Sequence, residues 1–201
     1  MHSDTRRKVA EEAARLIYNG IYSEYMHAKE AAARSLGVSV VPSNFEVAIE
    51  LDLLSDSLEG TEKQDRLIKL RENALSLMKL LKDYSPKLTG SVWRGTARKT
   101  SDIDINVFTS HPEEIKHILQ ESDYQLRIEE VTAINRGRPI RSTHIHIEAL
   151  DAEIVIRSLE EKDEIGRCET YGDPKKGLSL EELSNIMKKD PTKKLVPRRR
   201  Y

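Results

Sequence analysis

The sequence contains a single cysteine, Cys168, and no long run of apolar residues. One thiol excludes a disulfide framework within the chain and a zinc site built on cysteines, and it predicts a reducing, cytoplasmic setting. No segment approaches the roughly 20 apolar residues that a membrane span requires, and the charged N-terminal stretch lacks the apolar centre of a signal peptide. We therefore expect neither a secreted protein nor a membrane protein.

The chain also lacks an excess of charge of either sign. Its 33 Lys and Arg residues balance 34 Asp and Glu residues, so the overall charge of −1 offers no argument for nucleic-acid binding. Charged residues are nevertheless abundant, at 33% of 201 residues, and the mean hydropathy is −0.58. This composition is typical of a globular protein rich in charged helices, and any function must come from a local group of residues.

The first third of the sequence has the spacing of amphipathic helices. A first helical pattern is interrupted at Gly20, and a second helix follows Ser43 and Glu46, which have the spacing of a capping box. A third helix is predicted to begin at Thr61. The apolar stripes of these helices indicate core packing.

After Pro86 the pattern changes to short extended segments that alternate with helices. The alternation predicts an α+β fold, in which a mixed β-sheet is flanked by helices and preceded by an α-helical N-terminal region. The predicted strands cover residues 87–92, 102–108, 124–134, 140–149 and 152–157, and the predicted helices cover residues 112–120 and 179–189.

Three regions follow from this organisation. We expect a helical N-terminal region at residues 1–59, a core at 60–160, and a C-terminal helix with a basic tail at 161–201. The tail, which begins near Lys188, is expected to be a flexible arm.

The most informative stretch is LTGSVWRGTARKTSDIDINVF, residues 88–108. Ten residues separate Ser91 from Asp102, and a strand would place Asp102 and Asp104 on one face. Two like charges so close together repel unless a cation lies between them. Carboxylate ligands of this kind suit Mg²⁺ or Mn²⁺, which also bind substrate phosphates.

The residues before the acidic pair suit a phosphate group. Gly90 lets the backbone approach a phosphate closely, and the hydroxyl of Ser91 adds a donor. The cations of Arg94, Arg98 and Lys99 could neutralise a triphosphate. Trp93, in the same stretch, could stack on a base or cover the sheet edge.

These residues resemble the signature of the nucleotidyltransferase superfamily, the fold of DNA polymerase beta. The signature is an apolar residue, Gly, Gly or Ser, about ten residues, and then an acidic–apolar–acidic sequence. In this chain it is TGS, ten residues, and DIDI. The stretch is also similar to the catalytic head of archaeal CCA-adding enzymes and to small stand-alone members, and the resemblance covers residues 88–157.

The resemblance implies a third carboxylate on a neighbouring strand. We prefer Glu153, because AEIVIR resembles the family's pattern of an acid followed by an apolar strand, then Glu148, then Asp151. The family more often has Asp at this place. His144 and His146 share a strand face with Glu148, and we expect a half-exposed face there rather than metal ligands.

The implied activity is that of a nucleotidyltransferase, in which an acceptor hydroxyl attacks the α-phosphorus of ATP or another NTP and pyrophosphate leaves. Asp102, Asp104 and Glu153 would hold two Mg²⁺ or Mn²⁺ ions, and Gly90, Ser91, Arg94, Arg98 and Lys99 would bind the triphosphate. RNA, a protein or a small molecule could be the acceptor. The alternative is an inactive module of the same fold that binds nucleotide, RNA or a partner protein.

Overall fold

The computed structural model describes residues 2–135 and 138–197. The sequence Asn-Arg-Gly-Arg-Pro at residues 135–139 predicts a turn. Its residues Arg136 and Gly137, and the last residues of the basic tail, lie outside this part of the chain. The chain divides into two compact units. The first contains the residues up to Lys63, residues 167–174 and Pro197, and the second contains Gln64–Gly166 and Lys175–Val196.

The first unit is helical. Small side chains at the helix contacts, such as Ala13, Ala28 and Ala32, are fully buried, which lets the helices approach closely. The predicted interruption at Gly20 is confirmed, because this glycine has a φ of +70° and follows the end of the first helix. The helices are α1 (His2–Tyr18), α2 (Tyr25–Ser35) and α3 (Asn44–Glu59).

The capping box predicted for α3 is also confirmed. The backbone N–H of Ser43 donates to Glu46 Oε2 at 2.7 Å, and the Glu46 N–H donates to Ser43 Oγ at 3.3 Å. The Arg6 Nε–H adds a bond to the same carboxylate at 2.8 Å. Partial burial would raise the pKa of Glu46, but these donors lower it to about 2.

The second unit contains a six-stranded mixed sheet in the order β3-β4-β5-β2-β1-β6. Strands β2 and β5 are parallel, and the other neighbours are antiparallel. Its strands are β1 (Lys87–Thr89), β2 (Ile103–Phe108), β3 (Leu126–Asn135), β4 (Arg138–Ile147), β5 (Ala152–Arg157) and β6 (Leu178–Ser179). Its helices are α4 (Thr61–Leu80, which begins in the first unit), α5 (Gly90–Arg94), α6 (Pro112–Gln120) and α7 (Leu180–Lys189).

The sheet has one apolar and one polar face, as the period-two pattern predicts. Ile103 and Ile105 of β2 and Ile154 of β5 are fully buried with apolar residues of α4, α6 and α7. The intervening residues, among them Asp104 and Glu153, lie on the opposite face. The expected α+β fold with an α-helical N-terminal region is therefore confirmed.

Two predicted strand ends were wrong, and one short strand was missed. The strand predicted for residues 87–92 ends at Thr89, where α5 begins, and β4 ends at Ile147 in a 3₁₀ turn at Glu148–Leu150. Strand β6 was not predicted, because two residues are too short for an alternation to be visible. None of the described helices combines the length and apolar character that crossing a bilayer requires.

The C-terminal segment is bound to the second unit, where a flexible arm was expected. The buried Arg71 of α4 donates to the carbonyls of Val92, Trp93, Pro191 and Lys193, at 2.7–3.2 Å. Burial lowers the pKa of the Arg71 guanidinium to about 10, so it is still a cation near neutral pH. One side chain thus joins the end of α5 to the C-terminal segment.

Replacing Arg71 with Ala should lower the free energy of unfolding by roughly 3 kcal/mol, because the carbonyls that it binds lose a charged donor. Urea unfolding would measure the change. Arg71→Lys, which keeps the charge but not the planar fork, should have an intermediate effect. Lys69→Ala, on the exposed side of the same helix, is the matched control. Equal stabilities for the Arg71 and Lys69 variants would contradict this account.

Candidate active site

The acidic pair lies at the start of β2. Asp104 is the second residue of the strand, and Asp102 immediately precedes it. Because Ile103 and Ile105 are fully buried, the alternation directs both carboxylates to the polar face. Asp102 is exposed and Asp104 is half-buried.

Glu153 stands beside this pair on the neighbouring strand. Strand β5 is parallel to β2, and Glu153 is in register with Asp104. The other candidates for the third acid, Glu148 and Asp151, lie in the 3₁₀ turn and at the residue before β5, and both are exposed. Of the three candidates, only Glu153 is a strand residue directly opposite Asp104.

The three carboxylates influence one another electrostatically. Burial, followed by the negative charges of Asp102 and Glu153, raises the pKa of Asp104 to about 6, while the positive charge of Lys175 opposes the rise. Lys175 was missed by sequence reasoning, because its proximity to Asp104 arises only in the folded chain. Its place in the turn-forming sequence GDPKKG would not have marked it.

Gly90 packs directly against Asp104. It has a φ of +68°, and a Cβ added there would collide with Asp104 Oδ2 and lie 2.9 Å from Cγ. Strand β1 pairs with β2 so that Thr89 is opposite Asp104. The Gly90–Ser91 bend and the acidic pair are therefore adjacent, as the sequence spacing predicts.

The predicted cations have different environments. Arg94 is only 4% exposed, and its Nη1 donates to the carbonyl of Leu195 at 3.0 Å. Its guanidinium also stacks on Trp93, which is itself 6% exposed, at 3.9 Å from the ring centroid. The burial of Arg94 favours a structural role over contact with a triphosphate. The burial of Trp93 leaves its ring too little exposed for a nucleotide base to stack on it. Arg98 and Lys99 are more accessible.

A cavity of about 280 Å³ lies beside the acidic group. It is on the side of β5 and β4, away from Gly90. Its wall includes Lys99, Asp102, Arg127, His146 and Glu153. Arg127 forms an ion pair with Glu129.

Histidines line the polar face next to Glu153. His144 Nδ1 lies 2.8 Å from Glu153 Oε1, and His144 Nε2 lies 2.9 Å from Ser142 Oγ. His146 Nε2 is 3.7 Å from the same glutamate oxygen. The sequence alternation predicted their common face, but their contact with Glu153 required the pairing of β4 with β5.

The three carboxylates do not surround a single point. Within residues 2–135 and 138–197, no three acidic, histidine or cysteine side chains already converge as the ligands of one metal ion. The oxygen-only chemistry of the three acids still suits a hard divalent cation.

Comparison with known proteins agrees with this geometry. Residues 67–164 match the family described as nucleotidyltransferase domain. These residues form a nucleotidyltransferase domain. They include the Gly90–Ser91 bend, the acidic pair and Glu153, and nucleotidyl transfer is the activity class of the family.

Solved structures also resemble the chain, at low similarity. One is Cid1 in complex with the UTP analog UMPNPP, at 19% identity and a TM-score of 0.31, covering 51% of this chain and 29% of that one. Another is the GLD-2/RNP-8 complex, at 13% identity and a TM-score of 0.31, covering 55% and 45%. The chain thus spans less than half the length of either. No curated protein sequence matches it.

Gly90→Ala tests the close contact in the nucleotidyltransferase domain. The variant should lose about 1 kcal/mol of stability from the positive φ and a further 1–3 kcal/mol, roughly, from the collision with Asp104. In an Asp104→Ala background only the first loss should remain, as urea unfolding of the double-mutant cycle would measure.

Gly37→Ala is the matched control for the backbone effect. Gly37 has a φ of +65°, and a Cβ there would meet no atom within 4 Å. Two results would contradict this account. In the first, Gly90→Ala lowers the free energy of unfolding no more than Gly37→Ala does; in the second, it lowers it equally with and without the Asp104 side chain. Either result would mean that the contact with Asp104 does not require glycine at position 90.

Asp104→Asn tests the raised pKa. The folded protein holds this proton more tightly than the unfolded chain, so its free energy of unfolding should fall as the pH rises from about 4 to about 6. In EDTA above pH 6, the Asn variant should be more stable than the wild type by roughly 2–3 kcal/mol, and the advantage should vanish below pH 4. The exposed Asp123→Asn is the control, and a pH-independent difference for Asp104→Asn would contradict the assignment.

Proposed function

We propose that this chain transfers a nucleoside monophosphate from an NTP to an acceptor hydroxyl and releases pyrophosphate, in a reaction dependent on Mg²⁺ or Mn²⁺. The observation that carries the proposal is the arrangement around Asp104. Asp102 and Glu153 share its face of the sheet, and Gly90 contacts its carboxylate. This group combines acids that repel one another with a backbone bend open to phosphate oxygens.

Asp102, Asp104 and Glu153 are the residues that would hold the metal. They offer carboxylate oxygens only, and the raised pKa of Asp104 reports negative charge that a divalent cation would offset. When bound, such a cation neutralises phosphate charge and lowers the pKa of the attacking hydroxyl. At low pH, protonation of Asp104 would oppose metal binding.

The triphosphate would bind on the β1 side of Asp104. The Gly90 and Ser91 backbone lies there, and the Ser91 hydroxyl supplies a donor. The positive charge of Lys175 opposes the rise in the pKa of Asp104, and Lys175 with Arg98 would stabilise the charge of the leaving pyrophosphate. Lys99 lines the cavity on the opposite side, so we assign it to the acceptor instead. We leave Arg94 out of this set because of its burial.

The acceptor would bind on the other side. Strands β1 and β5 flank β2 on opposite sides, so Gly90 and Glu153 also lie on opposite sides of Asp104. This arrangement is compatible with in-line transfer, in which the attacking and leaving oxygens lie on opposite sides of the α-phosphorus. The hydroxyl oxygen would bond to that phosphorus and lose its proton, while the bond from phosphorus to the bridging oxygen of the β-phosphate would break. The cavity beside Glu153 is open to the acceptor, and the Lys99 and Arg127 side chains in its wall make an RNA 3′ end the first acceptor to test.

We also propose the boundaries of the regions. A catalytic core at 60–160 would be preceded by a helical region at 1–59 and followed by the C-terminal helix and tail at 161–201. Cytoplasmic location, suggested by the lone cysteine, stays a prediction.

Labelled NTPs with Mg²⁺ and RNA, protein or small-molecule acceptors test the proposal directly. The wild type should transfer label to an acceptor, and Asp102→Ala or Asp104→Ala should lower the rate by at least about 100-fold, because the cation loses its ligands. Glu153→Ala should lower it far more than Glu148→Ala. Glu121→Ala, an exposed acid at the end of α6, is the control for general loss of negative charge.

Other outcomes separate the alternatives. NTP binding that depends on Asp104, with no transfer to any acceptor class, would replace the enzyme with the nucleotide-binding module. If neither Mg²⁺ nor Mn²⁺ with NTP shifts the melting temperature, both are wrong, because a ligand of the native state must stabilise it.

A further inference from the structure

The carboxylate of Glu153 is held by a neighbouring strand. His144 of β4 lies on the polar face beside β5, and its Nδ1 is 2.8 Å from Glu153 Oε1. Both side chains are 22% exposed, so the contact is partly shielded from water. A hydrogen bond to a carboxylate in such a place is stronger than one at an exposed surface.

The second ring nitrogen of His144 is also engaged. Its Nε2 lies 2.9 Å from the Ser142 hydroxyl, two residues earlier on the same face. A carboxylate only accepts, so Nδ1 must carry the proton in the contact with Glu153. The Ser142 hydroxyl can then donate to Nε2, which makes Ser142, His144 and Glu153 a connected chain that fixes the ring.

Glutamate needs such support more than aspartate does. It has one more rotatable bond, so its carboxylate samples more positions than that of Asp102 or Asp104, and ordering it costs more entropy. The bond to Oε1 restricts these positions, and the carboxylate could bind a metal ion through Oε2. Outer-shell partners of metal-binding carboxylates commonly have this effect.

We infer that His144 is a positioning residue that fixes Glu153 as a metal-binding carboxylate on the acceptor side of the site. The inference rests on the proposed function and adds that Glu in place of the usual Asp is made effective by an imidazole on the adjacent strand. In this role His144 would act through Glu153 and would not itself contact substrate or metal.

His146 provides an internal comparison. It lies on the same strand and face and is directly paired with Glu153. Its buried Nε2 nevertheless has no hydrogen-bond partner within the part of the chain that the structure describes, and lies 3.7 Å from Glu153 and 3.8 Å from Glu129. Removing either imidazole takes a similar volume from the polar face. Only the loss of His144 would release a hydrogen bond to Glu153.

The first readout is Mn²⁺ affinity, measured with the full chain by the electron paramagnetic resonance of free Mn²⁺. His144→Leu should weaken binding about 10–100-fold. His144→Asn, which can place an amide donor near the position of Nδ1, should restore most of the affinity. Ser142→Ala should have a smaller effect than His144→Leu, and His146→Leu should change affinity by less than about 3-fold, since it breaks no bond to Glu153.

The second readout compares the effect of the substitution on kcat with its effect on the KM for NTP. His144→Leu should lower kcat and leave the KM for NTP nearly unchanged, because the triphosphate side is untouched. A general loss of folding would not be rescued by Asn, and it would not lower kcat while leaving the KM for NTP unchanged. Melting curves of each variant would detect such a loss.

The outcomes separate this inference from the proposed function. Suppose that Mn²⁺ binding by the wild type depends on Asp104. If His144→Leu then binds Mn²⁺ as tightly as the wild type, the proposed function stands and His144 does not position Glu153. If it binds Mn²⁺ more tightly, the proposed function stands and His144 holds Glu153 away from the metal. If the wild type shows no Asp104-dependent binding of Mn²⁺, the proposed function fails, and the positioning role fails with it.

Discussion

The repulsion among three carboxylates is the constraint on which the polar face depends. Asp102, Asp104 and Glu153 are brought together by the start of β2 and its parallel pairing with β5. Burial, and then the negative charges of Asp102 and Glu153, raise the pKa of Asp104, so ionising this carboxyl in the folded protein costs free energy. Burial of isoleucine side chains on the apolar face of the same strands offsets this cost. The alternation that buries isoleucine on one side directs the acids to the other. Successive residues of the same strand therefore serve the hydrophobic core and the candidate site.

Arg71 and Gly95 constrain the segment beside the acids. Arg71 binds carbonyls at the end of α5, and a side chain at Gly95 would meet the backbone of Lys193 at 2.7 Å. The short helix between Gly90 and Gly95 is thus fixed at one end by Asp104 and at the other by the C-terminal segment. A bend held at both ends in this way is ordered before any ligand arrives, and if it binds phosphate as proposed, this order would reduce the entropy cost of binding.

Periodic and local signals were sufficient for much of the fold. The capping box at Ser43 and Glu46, the interruption at Gly20 and the alternation through Asp104 each depend on neighbouring residues, and each is present in the structure. The α+β class followed from the order of these elements. Predictions were wrong where a distant segment decides the outcome, as for the C-terminal arm, which Arg71 binds from a helix far away in the chain.

The sequence by itself determined the fold class and the likeness of residues 88–157 to nucleotidyltransferases, because strand alternation and motif spacing are properties of adjacent residues. Only the tertiary structure decided which glutamate faces Asp104, that Arg94 is buried, and that His144 holds Glu153. Each of these depends on strand register or on packing between segments distant in the chain. A shift of one residue in register would leave the local sequence pattern unchanged and reverse every face.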